Sequence, residues 1–255
     1  MAGNNERDHT MISRDQWDSL YSGVKPHIAP EGDQFRKWLE ANIPPSSGRC
    51  LEIGCFPRIY LSVIGELGYQ LYGVDLAEKL PLLESWLNQN GYRTGTFWHQ
   101  DFFSFHPGIK FDLVMSLGFI EHYRNWEEVL ERHFPLVREG GYLILEAPNF
   151  NGTFQRLIHR RLDRRNFEQH FLEAMEPDRW SRVLEENGFE IIFSGYAGKF
   201  HFWVQEEERG PFSRLALRLI HWLRPAASLL PGARKSYSPY AVVLARKKKI
   251  TPVNR

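Results

Sequence analysis

The sequence predicts an α/β fold, a mostly parallel sheet covered by helices on both faces. Three observations predict it. Short apolar runs at Cys50–Ile53, Gln70–Val74, Thr94–His99, Phe111–Ser116 and Tyr142–Ala147 alternate with longer segments of helical period. Glycines stand where the helical segments stop, at Gly68, Gly91 and Gly140–Gly141. The resulting order, β-α-β-α-β-loop-β-α-β, suits a doubly wound parallel sheet.

Each element has a local reason. A short helix is expected around Asp15–Tyr21, and a second at Phe35–Ala41, with Phe35, Trp38 and Leu39 on one face. The breaker Ile43–Gly48 ends it. Helices follow at Arg58–Leu67, Ala77–Asn90 and Trp126–Val137. Residues 148–176 show no clean period and are rich in Arg, His, Asn and Phe. Pro177–Gly188 is a helix with proline at its start and glycine at its end, and Phe189–Ser194 is a strand expected to restart near Phe200–Val204. Phe212–Leu223 is an amphipathic helix, Ala226–Ser238 a linker and Tyr240–Ala245 a final strand.

Length and composition bound the class. A chain of 255 residues with 42% hydrophobic and 25% charged residues suits one globular domain with decoration. We divide it into an N-terminal segment 1–34, a core 35–147, a lid 148–176 and a basic insertion 205–238. The polar start carries no apolar signal region, and no run approaches a membrane span. Two cysteines, Cys50 and Cys55, cannot build a disulfide framework. The expected compartment is therefore the cytoplasm, with peripheral contact at the inner face of the membrane as an alternative. The net charge of +1 hides an asymmetry: residues 212–255 carry ten Lys/Arg and no acid. Such a tail suits an anionic partner or a solvated face.

The strongest constellation is Cys50-Leu-Glu-Ile-Gly-Cys-Phe-Pro57, a strand that ends in a turn and a helix. In open parallel sheets ligands bind at the carboxyl ends of strands. Gly54 lets backbone approach a ligand closely, and Asp75, 21 residues on, stands at the tip of the next strand. A carboxylate there can accept from two ribose hydroxyls. Asp101-Phe102 follows the third strand, where an acid and an aromatic can meet an adenine.

In order and spacing the sequence resembles the class I S-adenosylmethionine-dependent methyltransferases. The matching text is LEIGC at 51–55, YGVD at 72–75, HQDF at 99–102, FDLVMSLGFIEH at 111–122 and VREGGYLILEAPN at 137–149. The resemblance implies a Rossmann-like sheet of seven strands, with an antiparallel last strand, a lid insertion and a C-terminal helical insertion. It implies S-adenosylmethionine as cofactor. Glu52, Gly54, Cys55, Phe56 and Pro57 would cradle its methionyl part, and Asp75 with Leu76 its ribose. Asp101 and Phe102 would flank the adenine, and Ser116, Leu117 and Gly118 would lie near the sulfonium. The chain departs from the family's Gly-x-Gly-x-Gly: Phe56 and Arg58 take the two later positions.

The acceptor side is read from residue chemistry. A hydroxyl acceptor needs a base, and histidine suits the task. His122, after the fourth strand, is the first candidate; shaping the cofactor pocket is the alternative. In the lid, Asn166 and His170 share a face if Asp163–Glu173 is helical. Asn149, Asn166 and Arg160 are candidate substrate contacts, His170 a second base, and the lid arginines suit either an anionic substrate or a solvated face. Tyr21, beside Trp17, folds over the cofactor or simply packs. No metal site is expected, because His99, Asp101 and His106 lack zinc-ligand spacing.

The expected function is methyl transfer to a small-molecule or glycan acceptor, most simply at oxygen, in polysaccharide or secondary-metabolite biosynthesis. A non-catalytic scaffold, motivated by the altered glycine loop, and an NAD-dependent oxidoreductase are the alternatives. The missing second glycine argues against the latter. No nucleic-acid partner is expected; a homo-oligomer is allowed. The helix at 212–224 carries Arg214, Arg218, His221 and Arg224 beside an apolar side. It suits peripheral membrane contact, with packing on the sheet edge or in a dimer the preferred reading.

Overall fold

The computed structural model describes residues 10–57, 59–204, 210–227, 230 and 232–249. Its elements run α1 (Arg14–Leu20), α2 (Gln34–Asn42), β1 (Arg49–Ile53), α3 (Tyr60–Glu66), β2 (Gln70–Asp75), α4 (Leu80–Gln89), β3 (Thr94–His99), β4 (Phe111–Leu117), α5 (Trp126–Glu131) and β5 (Val137–Pro148). They continue with α6 (Thr153–Leu162), α7 (Arg164–Glu168), α8 (Pro177–Glu186), β6 (Phe189–Ala197), α9 (Pro211–Ala227) and β7 (Tyr240–Lys247).

The seven strands form one sheet in the order β3-β2-β1-β4-β5-β7-β6. β1 pairs in parallel with both β2 and β4, so the strand order reverses there. β7 runs antiparallel to both β5 and β6. The expected seven-stranded sheet with its antiparallel last strand is therefore present.

Both faces are buried, as a parallel sheet requires. Along β4, Leu113, Met115 and Leu117 enter one core cluster and Val114 the other, which follows the two-residue period of a strand. The first cluster packs under α2, α3 and α4 through Phe35, Leu39, Leu61, Val63, Leu83 and Leu87. The second packs under α5 and α8 through Trp126, Val129, Leu130, Trp180 and Leu184. Each of these buried side chains removes enough apolar surface to stabilise the fold by about 1.5–3 kcal/mol.

Local chemistry explains several ends. Ser13 and Gln16 form a reciprocal cap on α1, and Asp33 accepts the N–H groups of Phe35 and Arg36 at the start of α2. Gly68 and Gly91 close the turns after α3 and α4 at φ +95° and +79°, conformations that favour glycine.

Four expectations are corrected. The helix expected from Arg58 begins at Tyr60, after a cis Phe56–Pro57 peptide, and Arg58 lies outside the described residues. The irregular stretch 148–176 contains α6 and α7; its period was hidden because α6 buries polar Gln155 and His159 while exposing Phe154 and Leu157. No strand forms at 200–204. The helix at 212–223 is present as part of α9, but only one part of its apolar side is covered: Ala216, Leu217 and Ile220 are half-buried, whereas Phe212, Leu215, Leu219 and Trp222 are exposed. The side chains of His221 and Arg224, expected in its basic stripe, lie outside the described residues. Among the described residues no helix is long and apolar enough to cross a membrane.

One buried histidine gives the fold a pH dependence. His133 follows α5, donates its Nδ1–H to the Val129 carbonyl at 2.7 Å and packs on Phe102. Burial lowers its pKa from 6.5 to about 4. Between those values the unfolded chain binds the extra proton, so this contribution is present above pH 6.5 and is lost as pH falls toward 4. The loss approaches about 3 kcal/mol for this one group. Urea denaturation of the protein at several pH values should show the decline, and His133→Gln should reduce its slope.

Candidate active site

Parallel pairing brings the ends of β1, β2 and β4 to one edge. There Ile53 pairs with Val74 on one side and with Ser116 on the other. The chain leaves β1 through Gly54, whose φ is +66°. A Cβ at Gly54 would lie 2.7 Å from Cδ2 of Phe119, so glycine alone fits this turn. The next carboxylate holds the turn in place. Asp75 Oδ2 accepts the Phe56 N–H at 2.8 Å, and Oδ1 accepts the Ala77 N–H at 2.7 Å. β2 thereby positions the loop after β1.

The other residues expected at the cofactor lie around this turn. Glu52 and Cys55 are fully buried, and Phe56 nearly so. Cys55 fills the space beside Gly73, where a Cβ would meet its Sγ at 2.5 Å. Burial pushes the Cys55 thiol well up, which suits a packing group rather than a nucleophile. Pro57 is half-buried, and Leu76 is exposed and offers its carbonyl to His99 Nε2 at 2.9 Å. Asp101 begins the next turn by accepting the Phe103 N–H. Phe102 is mostly buried, edge-on to Phe119. Leu117 is buried, and Gly118 turns the chain at φ +60°.

The residues present fit an S-adenosyl group. The glycine cradle at Gly54 admits no side chain, and Asp75 and Asp101 stand at the tips of adjoining elements. The Ser116 hydroxyl, at the end of β4, is buried with no hydrogen-bond partner among the described residues. A buried polar group in that condition calls for a ligand or a water.

The acceptor side is built around two imidazoles. His122 lies in a short turn after β4, and His170 follows α7. Their ring centroids are 4.5 Å apart. His122 Nδ1 is 3.0 Å from the Gln169 carbonyl, and His170 Nδ1 is 2.6 Å from the Asn166 carbonyl. A carbonyl only accepts, so Nδ1 carries the proton in both rings and Nε2 is the basic nitrogen of each neutral ring. Trp17 of α1 stands edge-on to His122, and Tyr21 stacks on Trp17 and meets Phe56. The N-terminal helix thus covers the turn that carries the cofactor loop.

One lid expectation changes, and the other lid candidates take definite places. Asn166 and His170 do not share a helical face, because α7 stops at Glu168; they are joined by the backbone contact just described. The Asn166 amide goes to buried Asp163 at 2.7 Å, and Asp163 also pairs with His159 at 3.0 Å. Asn149 donates to the carbonyls of Lys235 and Ser238 and accepts the Gly152 N–H, so it anchors the lid. Arg160 is exposed on the outer side of α6, away from buried Gln155 and His159.

The sequence reading missed one grouping. Glu121, His122 and His170 place ligand-type atoms within 4.8 Å of one another, all buried, and form the one such cluster among the described residues. The Glu121–His122 adjacency was visible, but His170 lies 48 residues further on and only the lid brings it in.

A profile of the methyltransferase domain matches residues 29–193, well over half of the chain. The chain belongs to the class I S-adenosylmethionine-dependent methyltransferase family. The methyltransferase is 24% identical over 164 residues to a ubiquinone biosynthesis O-methyltransferase from Thiobacillus denitrificans, covering 60% of this chain and 69% of that one. A protein of the same description from Aromatoleum aromaticum is 28% identical over 120 residues, covering 45% of this chain and half of that one. In fold, it resembles a SAM-dependent methyltransferase from Archaeoglobus fulgidus with a TM-score of 0.54 at 19% identity, covering 84% and 93% of the two chains. It also resembles the O-MT part of StiE with a TM-score of 0.53 at 13% identity, covering 85% and 74%. Neither the scaffold nor the oxidoreductase alternative stands against the family match.

The site yields a direct test of the cofactor turn. Gly54→Ala forces an unfavourable backbone conformation, costing about 1–2 kcal/mol, and drives a methyl group into Phe119. Calorimetry should show S-adenosylhomocysteine affinity falling by at least about tenfold. Asp75→Ala should lose affinity too, since it frees the Phe56 N–H that holds the loop.

Proposed function

We propose that this methyltransferase methylates an oxygen of a small-molecule or glycan acceptor, with His122 and His170 as the proton-accepting pair. The observation that carries the reading is the pair of contacts, at 3.0 and 2.6 Å, by which lid carbonyls hold Nδ1 of both rings. The names of the O-methyltransferase relatives support oxygen as the methylated atom.

When bound, S-adenosylmethionine would supply a methyl group on a positively charged sulfur, whose methyl–sulfur bond would break to leave the neutral thioether S-adenosylhomocysteine. The chain's contribution is alignment, exclusion of water and acceptance of a proton. Trp17 and Tyr21 close the site from the N-terminal side, and Phe150 packs against His170 from the lid. The acceptor hydroxyl donates its proton to Nε2 of His122 or His170 as its oxygen takes the methyl group. Glu121 Oε1, 3.8 Å from His122 Nε2, then steadies the imidazolium that forms.

A second reading has its own observation. The convergence of Glu121, His122 and His170 would also suit a divalent cation, which these three side chains would hold, with the lid carbonyls orienting the two rings. The cation would then acidify the acceptor hydroxyl in place of the base.

Single-turnover assays with a panel of phenols and sugar hydroxyls would identify the acceptor. With it, His122→Gln and His170→Gln should each lower kcat by about 10²- to 10⁴-fold while S-adenosylhomocysteine affinity changes only a few-fold. Prior chelation with EDTA should leave the rate unchanged. Loss of rate on chelation, restored by one divalent metal, establishes the second reading instead.

A further inference from the structure

We propose that α6 and α9 dock the protein on an anionic lipid surface. The two helices share a pattern: Phe154-Gln-Arg-Leu-Ile-His-Arg160 in α6 and Phe212-Ser-Arg-Leu-Ala-Leu-Arg218 in α9 both read Phe-x-Arg-Leu-x-x-Arg. At helical spacing these four positions fall on one side of each helix. The structure turns that side outward in both cases. Phe154 and Leu157 are 54% and 57% exposed, and Phe212 and Trp222 are 87% and 77% exposed. Leu215 and Leu219 continue the stripe of α9, and its opposite side, with Ala216, Leu217 and Ile220, is the half-buried one.

Charge selects the occupant. Arg156, Arg160 and Arg161 are exposed on α6, and Arg214 and Arg218 on α9. No acid occurs from Pro148 to Leu162 or from Gly210 to Arg255, although the whole chain carries 31. Large apolar side chains interleaved with arginines, and unaccompanied by carboxylates, match a bilayer whose headgroups are negative and whose interior is apolar. A protein partner of ordinary surface would satisfy one of these features but not both along two helices.

Topology puts both helices at the edge where the site lies. α6 leaves the carboxyl end of β5, and α9 lies in the connection from the end of β6 to the start of β7. Pro148 and Ala197 both pair with Tyr240 at that edge. The segment returning from α9 is tied to the root of α6: the Phe154 N–H goes to the Ser236 carbonyl, and Gln155 bridges the carbonyls of His201 and Tyr237. Docking there would bring the acceptor side of the site to the membrane.

The test uses the full chain and does not depend on methyl transfer. In vesicle flotation the protein should rise with phosphatidylglycerol-containing vesicles and not with pure phosphatidylcholine, and added salt should weaken binding. Phe212→Ser with Trp222→Ser, and separately Arg156→Glu with Arg214→Glu, should each reduce binding by at least about tenfold. Both variants should keep the wild-type circular dichroism and S-adenosylhomocysteine affinity, which shows that they fold. No flotation at low salt overturns the proposal, as does binding that neither variant weakens. A dimer in solution that the Phe212/Trp222 variant splits, without vesicle binding, also overturns it and makes a second copy the partner.

Discussion

The parallel pairing of β2, β1, β4 and β5 is the constraint on which the rest depends. Parallel strands end at the same edge, so every turn that leaves them there is a neighbour of the next. That geometry puts the Gly54 turn between Asp75 at the end of β2 and Ser116 at the end of β4. It also decides where the decorations stand. Because β7 inserts antiparallel between β5 and β6, the connection that carries α9 leaves and returns at this edge.

The site is held by backbone groups as much as by side chains. The Phe56 N–H aligns Asp75, and the Gln169 and Asn166 carbonyls set the tautomer of His122 and His170. Each such bond contributes only about 1 kcal/mol to stability. Their value here is orientation: a neutral imidazole can accept a proton only at the nitrogen that does not already carry one. The buried Asp163, joined to His159 and Asn166, holds the short helix that delivers those carbonyls. In a fold that hosts many reactions, this lid contact carries the reading of chemistry.

The core elements were legible from periodicity because each is a local matter. Thr94–His99 was read to its ends, and Gln70–Val74 and Phe111–Ser116 to within one residue. The lid was not legible. α6 buries Gln155, whose partners are carbonyls far along the chain, and His159, which pairs with buried Asp163, and so its polar side faces inward and its apolar side outward. A hydrophobic period read from the sequence points the wrong way in such a helix. Asn149 illustrates the same limit: residue type alone does not show that its amide donates to the Lys235 and Ser238 carbonyls.

The sequence by itself determined the sheet, the glycine turn and the acid that follows it, because strand period, turn chemistry and spacing are written in neighbouring residues. Only the tertiary structure decided the pairing of His122 with His170 and the cluster they form with Glu121. Two residues 48 positions apart meet there through carbonyls that no side chain announces. The tertiary structure also decided that the apolar sides of α6 and α9 face solvent, since a sequence shows which residues share a side but not what covers it.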